Sequence, residues 1–310
     1  MLDESSCHYI CSRGILKSCD FCSPNPKSSC RDDYAYLVNM LQQRGNKKMF
    51  NNMSIYVCSD LLHFFVNRIL PLIKHTFTLV TGDSDLCVPR EALSQNETFT
   101  LLNSTYLNKW FIQNTQVENN DKIVQMPIGM DYHTISEDKG HIWQLPLEKR
   151  SPLDQEQILQ DIINQNNKNN NTFSNREPKI YVNFTVCNDR FKQRQDSLNK
   201  IDKNLLVINQ TFTPRTANWQ QTAKYAFVLS PAGVGLDCHR TWEALCLGCI
   251  PIVNAPKFGK LFEDLPVLMV TDWSEVTDEL LQKTLATFSE RTFNYDKLTL
   301  GYWTNQIKNE

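Results

Sequence analysis

Residues 230–253 read Ser-Pro-Ala-Gly-Val-Gly-Leu-Asp-Cys-His-Arg-Thr-Trp-Glu-Ala-Leu-Cys-Leu-Gly-Cys-Ile-Pro-Ile-Val, and this stretch decides the fold. It leaves an apolar run at 226–230, passes through a glycine-containing loop, and enters a helix expected over 239–247. A second apolar run follows at 250–253. On the helix Trp242, Leu245, Cys246 and Cys249 recur at i, i+3, i+4 and i+7, one core-facing stripe. Strand, loop, helix and strand in that order require a parallel pair joined by a crossover, the repeating unit of an α/β sheet.

The loop has the mechanics of a phosphate cradle. Gly233 and Gly235 permit close backbone approach and positive φ, and the helix that follows offers free N–H groups and partial positive charge to an anion. No Gly-Lys-[Ser/Thr] follows and the third glycine of a dinucleotide fingerprint is missing, which weakens kinase and dehydrogenase readings. Arg240 and Glu243 share another helix face, three residues apart. An arginine at a diphosphate and a carboxylate one turn on, near ribose hydroxyls, make a nucleotide clamp. The bland alternative is an ordinary ion pair, with Asp237 as the helix N-cap.

Working outward, the same alternation runs through the chain. Strands are expected at 54–58, 77–81 and 122–128, with an amphipathic helix over 60–73 capped by Ser59 or Asp60 and further helices over 32–44 and 100–111. A helix over 153–163 leads into an asparagine-rich segment at 164–175, read as a surface connection. A second series then begins, with strands at 179–184, 205–209, 226–230, 250–253 and 267–270 and helices near 216–224, 239–247 and 275–289. The expected organisation is therefore a cysteine-rich start with a first helix (1–50), a Rossmann-like unit over 51–175 and another over 176–310. Ligands of open parallel sheets lie outside the carboxyl ends of the strands, so two such units facing each other hold substrates in the cleft between them.

Composition narrows the function. The 310 residues carry 32 Lys and Arg against 34 Asp and Glu, a net charge of −2 that gives no basic field for gathering nucleic acid. The longest apolar stretch, 61–73, is interrupted by His63, Asn67, Arg68 and Pro71 and falls short of a membrane span. The first residues show no basic-then-apolar secretory signal, which points to a soluble chain. Five of the eleven cysteines (Cys7, Cys11, Cys19, Cys22, Cys30) crowd the first thirty residues, and reduced thiols are favoured there over disulfides or a zinc site. Six N-x-[Ser/Thr] sequons, at Asn52, Asn96, Asn103, Asn170, Asn183 and Asn209, barely exceed the roughly four that 29 asparagines give by chance.

The wording of residues 230–253 strongly resembles the carboxyl-terminal signature of exostosin-like glycosyltransferases of the GT-B fold. Residues 77–85 (Phe-Thr-Leu-Val-Thr-Gly-Asp-Ser-Asp) and 126–133 (Met-Pro-Ile-Gly-Met-Asp-Tyr-His) are similar to segments of small members of that family in large DNA viruses, a chlorovirus xylosyltransferase among them. The resemblance implies an α/β protein of GT-B type with two Rossmann-like domains. It implies a nucleoside diphosphate sugar, UDP-linked and UDP-xylose included, bound by the second, and a glycan or glycoprotein acceptor bound by the first. Arg240 and Glu243 become diphosphate and ribose contacts. The resemblance implies no metal. The asparagine-heavy composition and the lack of a membrane span or basic field point instead to an enzyme without nucleic-acid partner working in cytoplasm, that of a virus host included, or in the Golgi lumen where a targeting segment has been removed.

Inverting transfer needs a group that takes the acceptor proton while positive charge or helix amides receive the diphosphate. Asp83 is the favoured base, ahead of Asp85, Asp131 and His133, all of which follow strands of the first unit. Asp83-Ser84-Asp85 also spells the D-x-D by which GT-A enzymes hold Mn²⁺; the longer glycine loop argues for GT-B chemistry without metal. Donor contacts are expected from Ser230, Gly233, Gly235, Asp237, His239, Arg240 and Glu243, and from Arg190 and Arg194 in a second basic cluster with Lys192. Trp219, Tyr225 and Trp303 are read as core or interdomain surface. The alternative from another class is a non-catalytic glycan- or nucleotide-binding relative that acts as an interaction module.

Overall fold

A computed structural model describes residues 4–23, 52–137, 145, 149–187, 189–209 and 213–309. Two parallel sheets organise them. The first has strands β1 (Met53–Cys58), β2 (Phe77–Gly82), β3 (Leu107–Ile112) and β4 (Ile123–Gln125), hydrogen-bonded in chain order. The second has β5 (Glu177–Val182), β6 (Leu206–Ile208), β7 (Tyr225–Leu229), β8 (Ile250–Val253) and β9 (Leu268–Met269) in the order β6-β5-β7-β8-β9. The chain leaves β5 toward one edge, to β6, and returns on the other side, to β7. A crevice opens where such an order reverses, because the connections leaving the two neighbouring strands diverge to opposite sides.

The strands read as near-continuous apolar runs because both faces are covered, as in all-parallel sheets. β2 and β8 are buried throughout. The expected alternation is present, with departures. Residues 100–111 divide into a helix, Gln95–Leu102, and strand β3. Ser94 and Glu97 form a capping box that starts this helix five residues earlier than expected. The 60–73 helix is present as a succession of 3-10, α and π turns, and neither Ser59 nor Asp60 supplies a side-chain cap. Helices Gln193–Lys200 and Leu300–Lys308 were not anticipated. The expected helix over 32–44 lies outside the described residues.

The largest apolar core is continuous from the first sheet to one face of the second: Trp110, Phe111 and Tyr132 belong to the same buried cluster as Trp242, Phe258 and Phe262. Polar joints reinforce it. Gln125, at the end of β4, donates to the Lys257 carbonyl at 2.6 Å and accepts from the Leu261 N–H at 3.3 Å. The chain ends also cross over. Leu300 N–H donates to the His8 carbonyl at 2.8 Å and Ile10 N–H to the Leu298 carbonyl at 2.8 Å, so the last helix packs on the first unit's side. The described cysteines are free thiols, and the described part of the cysteine-rich start is a buried packing element. Its helix Ser12–Lys17 is buried along most of its length, and Phe21 adds a parallel bridge to Ile55 at the open edge of β1. No described helix is long and apolar enough to cross a membrane.

Candidate functional site

A cavity of about 640 Å³ occupies the crevice of the second sheet, between the segment after β5 and the glycine loop after β7. Its wall includes Asn183, Phe184 and Thr185, the loop residues Gly233, Val234 and Gly235, and Asp237, Cys238, His239, Arg240 and Glu243 at the start of the helix His239–Cys246. The first unit contributes Asp85 and Ile128. A cavity of this size, formed at a strand-order reversal, has the dimensions of a small-molecule site.

The loop is tightly held. Ser230 Oγ meets Thr241 Oγ1 at 2.8 Å, which pins the end of β7 to the helix, and Gln193 Oε1 accepts from the Ala232 N–H at 3.0 Å. Gly233 and Gly235 are not in the left-handed region; among the described glycines that conformation belongs to Gly129 and Gly248. What the loop glycines supply is proximity. A Cβ on Gly233 would strike the Arg194 guanidinium, and one on Gly235 would lie 3.0 Å from Asp85 Oδ1 and 3.1 Å from Asn114 Nδ2.

Two arginines lie against the aromatic ring of Phe184. The guanidinium carbon of Arg240 lies 5.0 Å from the ring centroid and that of Arg194 5.7 Å. Arg194 Nη1 donates to the carbonyls of Thr185 and Cys187, each at 3.0 Å. Its Nε, and Arg240 Nη1, are buried with no hydrogen-bond partner among the described residues. Burial lowers the Arg240 pKa and the charge of Arg194 lowers it further, against the opposing pull of Cys238 and Glu243. Two like charges brought together with donors left open form a poor arrangement until an anion arrives. They stand where the helix begins, and its N-cap, Cys238, provides no side-chain cap hydrogen bond.

Asp237 is not the N-cap. Its carboxylate accepts from Trp242 Nε1 at 2.8 and 3.0 Å and from the Ile128 N–H at 2.8 Å, which ties the loop to the first unit. Burial pushes its pKa up to about 6, against the lowering effect of those donors. Its backbone N–H donates to Asn114 Oδ1 at 2.9 Å, and Asn114 Nδ2 donates to the Ser84 carbonyl at 2.9 Å. The two loops are therefore interlocked at the cavity mouth.

The remaining expected residues divide. His239 lines the cavity, and its Nδ1 lies 2.7 Å from the Gly129 carbonyl; a carbonyl only accepts, so the proton sits on Nδ1. Arg190 does not line the cavity: it pairs with Glu91 at 2.6 Å and reaches the Asp85 carbonyl at 3.3 Å, a bridge between the units. Of the four base candidates only Asp85 lines the wall. Withdrawal of its carboxyl from water raises its pKa, opposed by the charges of His239 and Arg190. Asp83 is buried behind the wall at a left-handed φ of 56°, with its N–H on Gln113 Oε1 at 3.0 Å. Asp131 is buried as well, its Oδ1 3.2 Å from His133 Nδ1 and 3.0 Å from the Thr134 N–H. Burial pushes the Asp131 pKa up, but the charges of His239, His133 and Arg215 outweigh it and hold the carboxyl well below the usual range. Desolvation lowers the His133 pKa, against Asp131.

Sequence reading missed Arg215, Asn183, Asn209, Thr213 and Asn218, all of which line the cavity. Asn183 and Asn209 follow the last residues of β5 and β6 directly, at the carboxyl edge, which was the available signal. Trp219, read as core, is buried and also reaches the cavity wall, whereas Trp303 is buried with its Nε1 on the Lys297 carbonyl at 2.8 Å. No cluster of three or more His, Cys, Asp or Glu placed to hold a metal occurs among the described residues.

No family model matches the chain, and no curated protein matches its sequence. Solved structures with a similar course of chain include an α1,3-fucosyltransferase with GDP-fucose, 12% identical over 86% of this chain and 93% of that one, with a TM-score of 0.40. OtsA in its apo form is 10% identical over 89% and 77%, TM-score 0.41. The N-terminal domain of Candida albicans trehalose-6-phosphate phosphatase is 10% identical over 93% and 74%, TM-score 0.38. Likenesses this distant carry no functional weight, which falls on the residues of the cavity.

Proposed function

We propose that the chain is an inverting glycosyltransferase of the GT-B type, exostosin-like in its donor segment, which transfers a sugar from a nucleoside diphosphate, UDP taken first, to a glycan or glycoprotein acceptor. One observation carries the reading. The guanidinium groups of Arg194 and Arg240 converge on a loop–helix junction in an interdomain cavity, with buried donor atoms left open. A diphosphate supplies the charge and the acceptor oxygens that this arrangement lacks. Glu243, one turn along the same helix and on the cavity wall, is in position to take ribose hydroxyls.

In this reading Asp85 takes the proton of the acceptor hydroxyl, whose oxygen bonds to the anomeric carbon. The bond from that carbon to the β-phosphate oxygen breaks, its electron pair stays on the diphosphate, and Arg194, Arg240 and the helix amides stabilise the charge. Asp85 replaces Asp83 as the proposed base because it reaches the cavity and Asp83 does not. The arginines fill the role a metal plays in D-x-D enzymes, so chelation is expected to leave the rate unchanged; a Mn²⁺-dependent rate abolished by chelator contradicts this part. The test is a thermal-stability screen against UDP, GDP, ADP and CDP and their sugars, followed by assay for nucleotide release. A rise in melting temperature with release of nucleoside diphosphate supports an enzyme. A rise without release or transfer to any acceptor favours the non-catalytic binding relative, and no shift with any compound removes the proposal.

A further inference from the structure

Arg215 belongs to none of the roles above, yet it joins three separate segments at the cavity. It opens the helix Arg215–Thr222, its side chain is 3% exposed, and its guanidinium carbon lies 5.3 Å from the ring centroid of Trp219, one turn along. Nη1 donates to the Asp131 carbonyl and, at 2.7 Å, to Gln155 Oε1. Nη2 lies 3.7 Å from Glu243 Oε1 and 3.9 Å from Asp131 Oδ2. One buried guanidinium therefore touches the loop after β4 in the first unit, the helix Pro152–Lys168 and the helix that carries the cavity carboxylate. A buried cation needs its counter-charge held close, and the fork of the guanidinium fixes direction as well as distance.

Asp131 is already held by His133 and the Thr134 N–H. Glu243 is the partner open to the cavity: its side chain is 14% exposed on the cavity wall, and Arg215 is the cation within 4 Å of its carboxylate among the described residues. We infer that Arg215 is a positioning residue that sets the Glu243 carboxylate to receive the ribose 2′-hydroxyl, so that recognition of ribose depends on the loop of the first unit to which Arg215 is anchored. The inference rests on the nucleotide reading of the cavity.

The test compares calorimetric affinities of the wild type, Arg215→Met, Arg215→Lys and Glu243→Gln for UDP and for 2′-deoxy-UDP. The GDP pair is substituted if GDP binds the tighter. A hydrogen bond from a sugar hydroxyl to a charged carboxylate predicts that the wild type prefers the ribonucleotide by about tenfold or more. In Arg215→Met and Glu243→Gln that ratio falls to within about threefold of unity, and the double substitution lowers it no further. Arg215→Lys, which retains the charge without the fork, gives an intermediate ratio and keeps the inference testable if Arg215→Met does not fold. A merely structural arginine weakens both nucleotides equally and leaves the ratio at its wild-type value, which overturns the inference. A wild type that binds UDP or GDP but shows no preference over the deoxy form also overturns it, with the nucleotide reading intact. A wild type that binds no nucleotide overturns both.

Discussion

The two sheets are built alike and equipped differently. In the first, strands β1 to β4 follow chain order, so no reversal opens within it. In the second, the chain reverses between β5 and β7 and the cavity stands at that reversal. Each has an acidic or basic loop at the carboxyl edge of a buried strand. The Asp131 carboxylate of the first unit is enclosed by protein and held by His133 and the Thr134 N–H, whereas Arg194 and Arg240 of the second retain buried N–H groups without partners among the described residues. Charged residues near a cleft therefore divide by whether the protein already satisfies them. Satisfied groups such as Asp131 tie segments of the protein together, and in the proposed reading the open ones take a ligand.

The contrast can be broken most decisively by exchanging the expected effects. Asp85→Asn removes the one base candidate that reaches the cavity and should lower kcat by about 100-fold or more with nucleotide affinity unchanged, whereas Asp83→Asn keeps kcat near wild type. Initial rates beside calorimetric Kd values check this, and loss of turnover from Asp83→Asn alone would place the base behind the wall. Next in size, Arg240→Ala should weaken nucleoside diphosphate binding by about 10- to 100-fold without lowering the melting temperature, because it relieves the repulsion from Arg194. A variant that melts far below wild type would mean that Arg240 is structural.

Asp237 sharpens the comparison as a group enclosed at a cost. Its pKa is about 6 in the folded chain against an ordinary 3.8, so the folded state holds the proton more tightly and the ionised form is the unfavourable one. Its contribution to stability is full below about pH 4 and is lost as pH rises through 6. Relative to wild type, Asp237→Asn should gain about 2 kcal/mol between pH 4 and pH 7.5, read from urea midpoints. A pH-independent difference contradicts it. The smallest effect separates two glycines. Gly129→Ala adds a Cβ at φ +69° against the Ile10 carbonyl and should destabilise the fold. Gly233→Ala, at an ordinary φ, displaces Arg194 and should reduce nucleotide affinity a few-fold with the melting temperature little changed.

Much of this layout was readable from the chain because a buried parallel strand and an amphipathic helix leave distinct periods. The stripe of Trp242, Leu245, Cys246 and Cys249 is buried as its spacing requires. What failed had local causes. Leu107 to Ile112 alternates too little to separate a strand from the preceding helix, and the Ser94–Glu97 box that starts that helix lies before the apolar periodicity that marks it. At the site, Gly233, Gly235, Arg194, His239, Arg240 and Glu243, expected as donor contacts, line one cavity. Arg190 lies near them in sequence but is drawn away by Glu91, a partner about a hundred positions distant that no local pattern reveals. Arg215 was invisible for the same reason, since its partners Asp131, Gln155 and Glu243 come from three separate segments.

The central claim is that Arg194 and Arg240 hold a diphosphate at the start of the helix His239–Cys246. Isothermal titration of the wild type and Arg240→Ala with UDP and GDP, at low and at raised salt, tests it directly. The account predicts binding of at least one of the two by the wild type, weakened by salt and by about 10- to 100-fold on loss of Arg240. Equal affinity in the two proteins, or no heat from either nucleotide with a folded wild type, contradicts it.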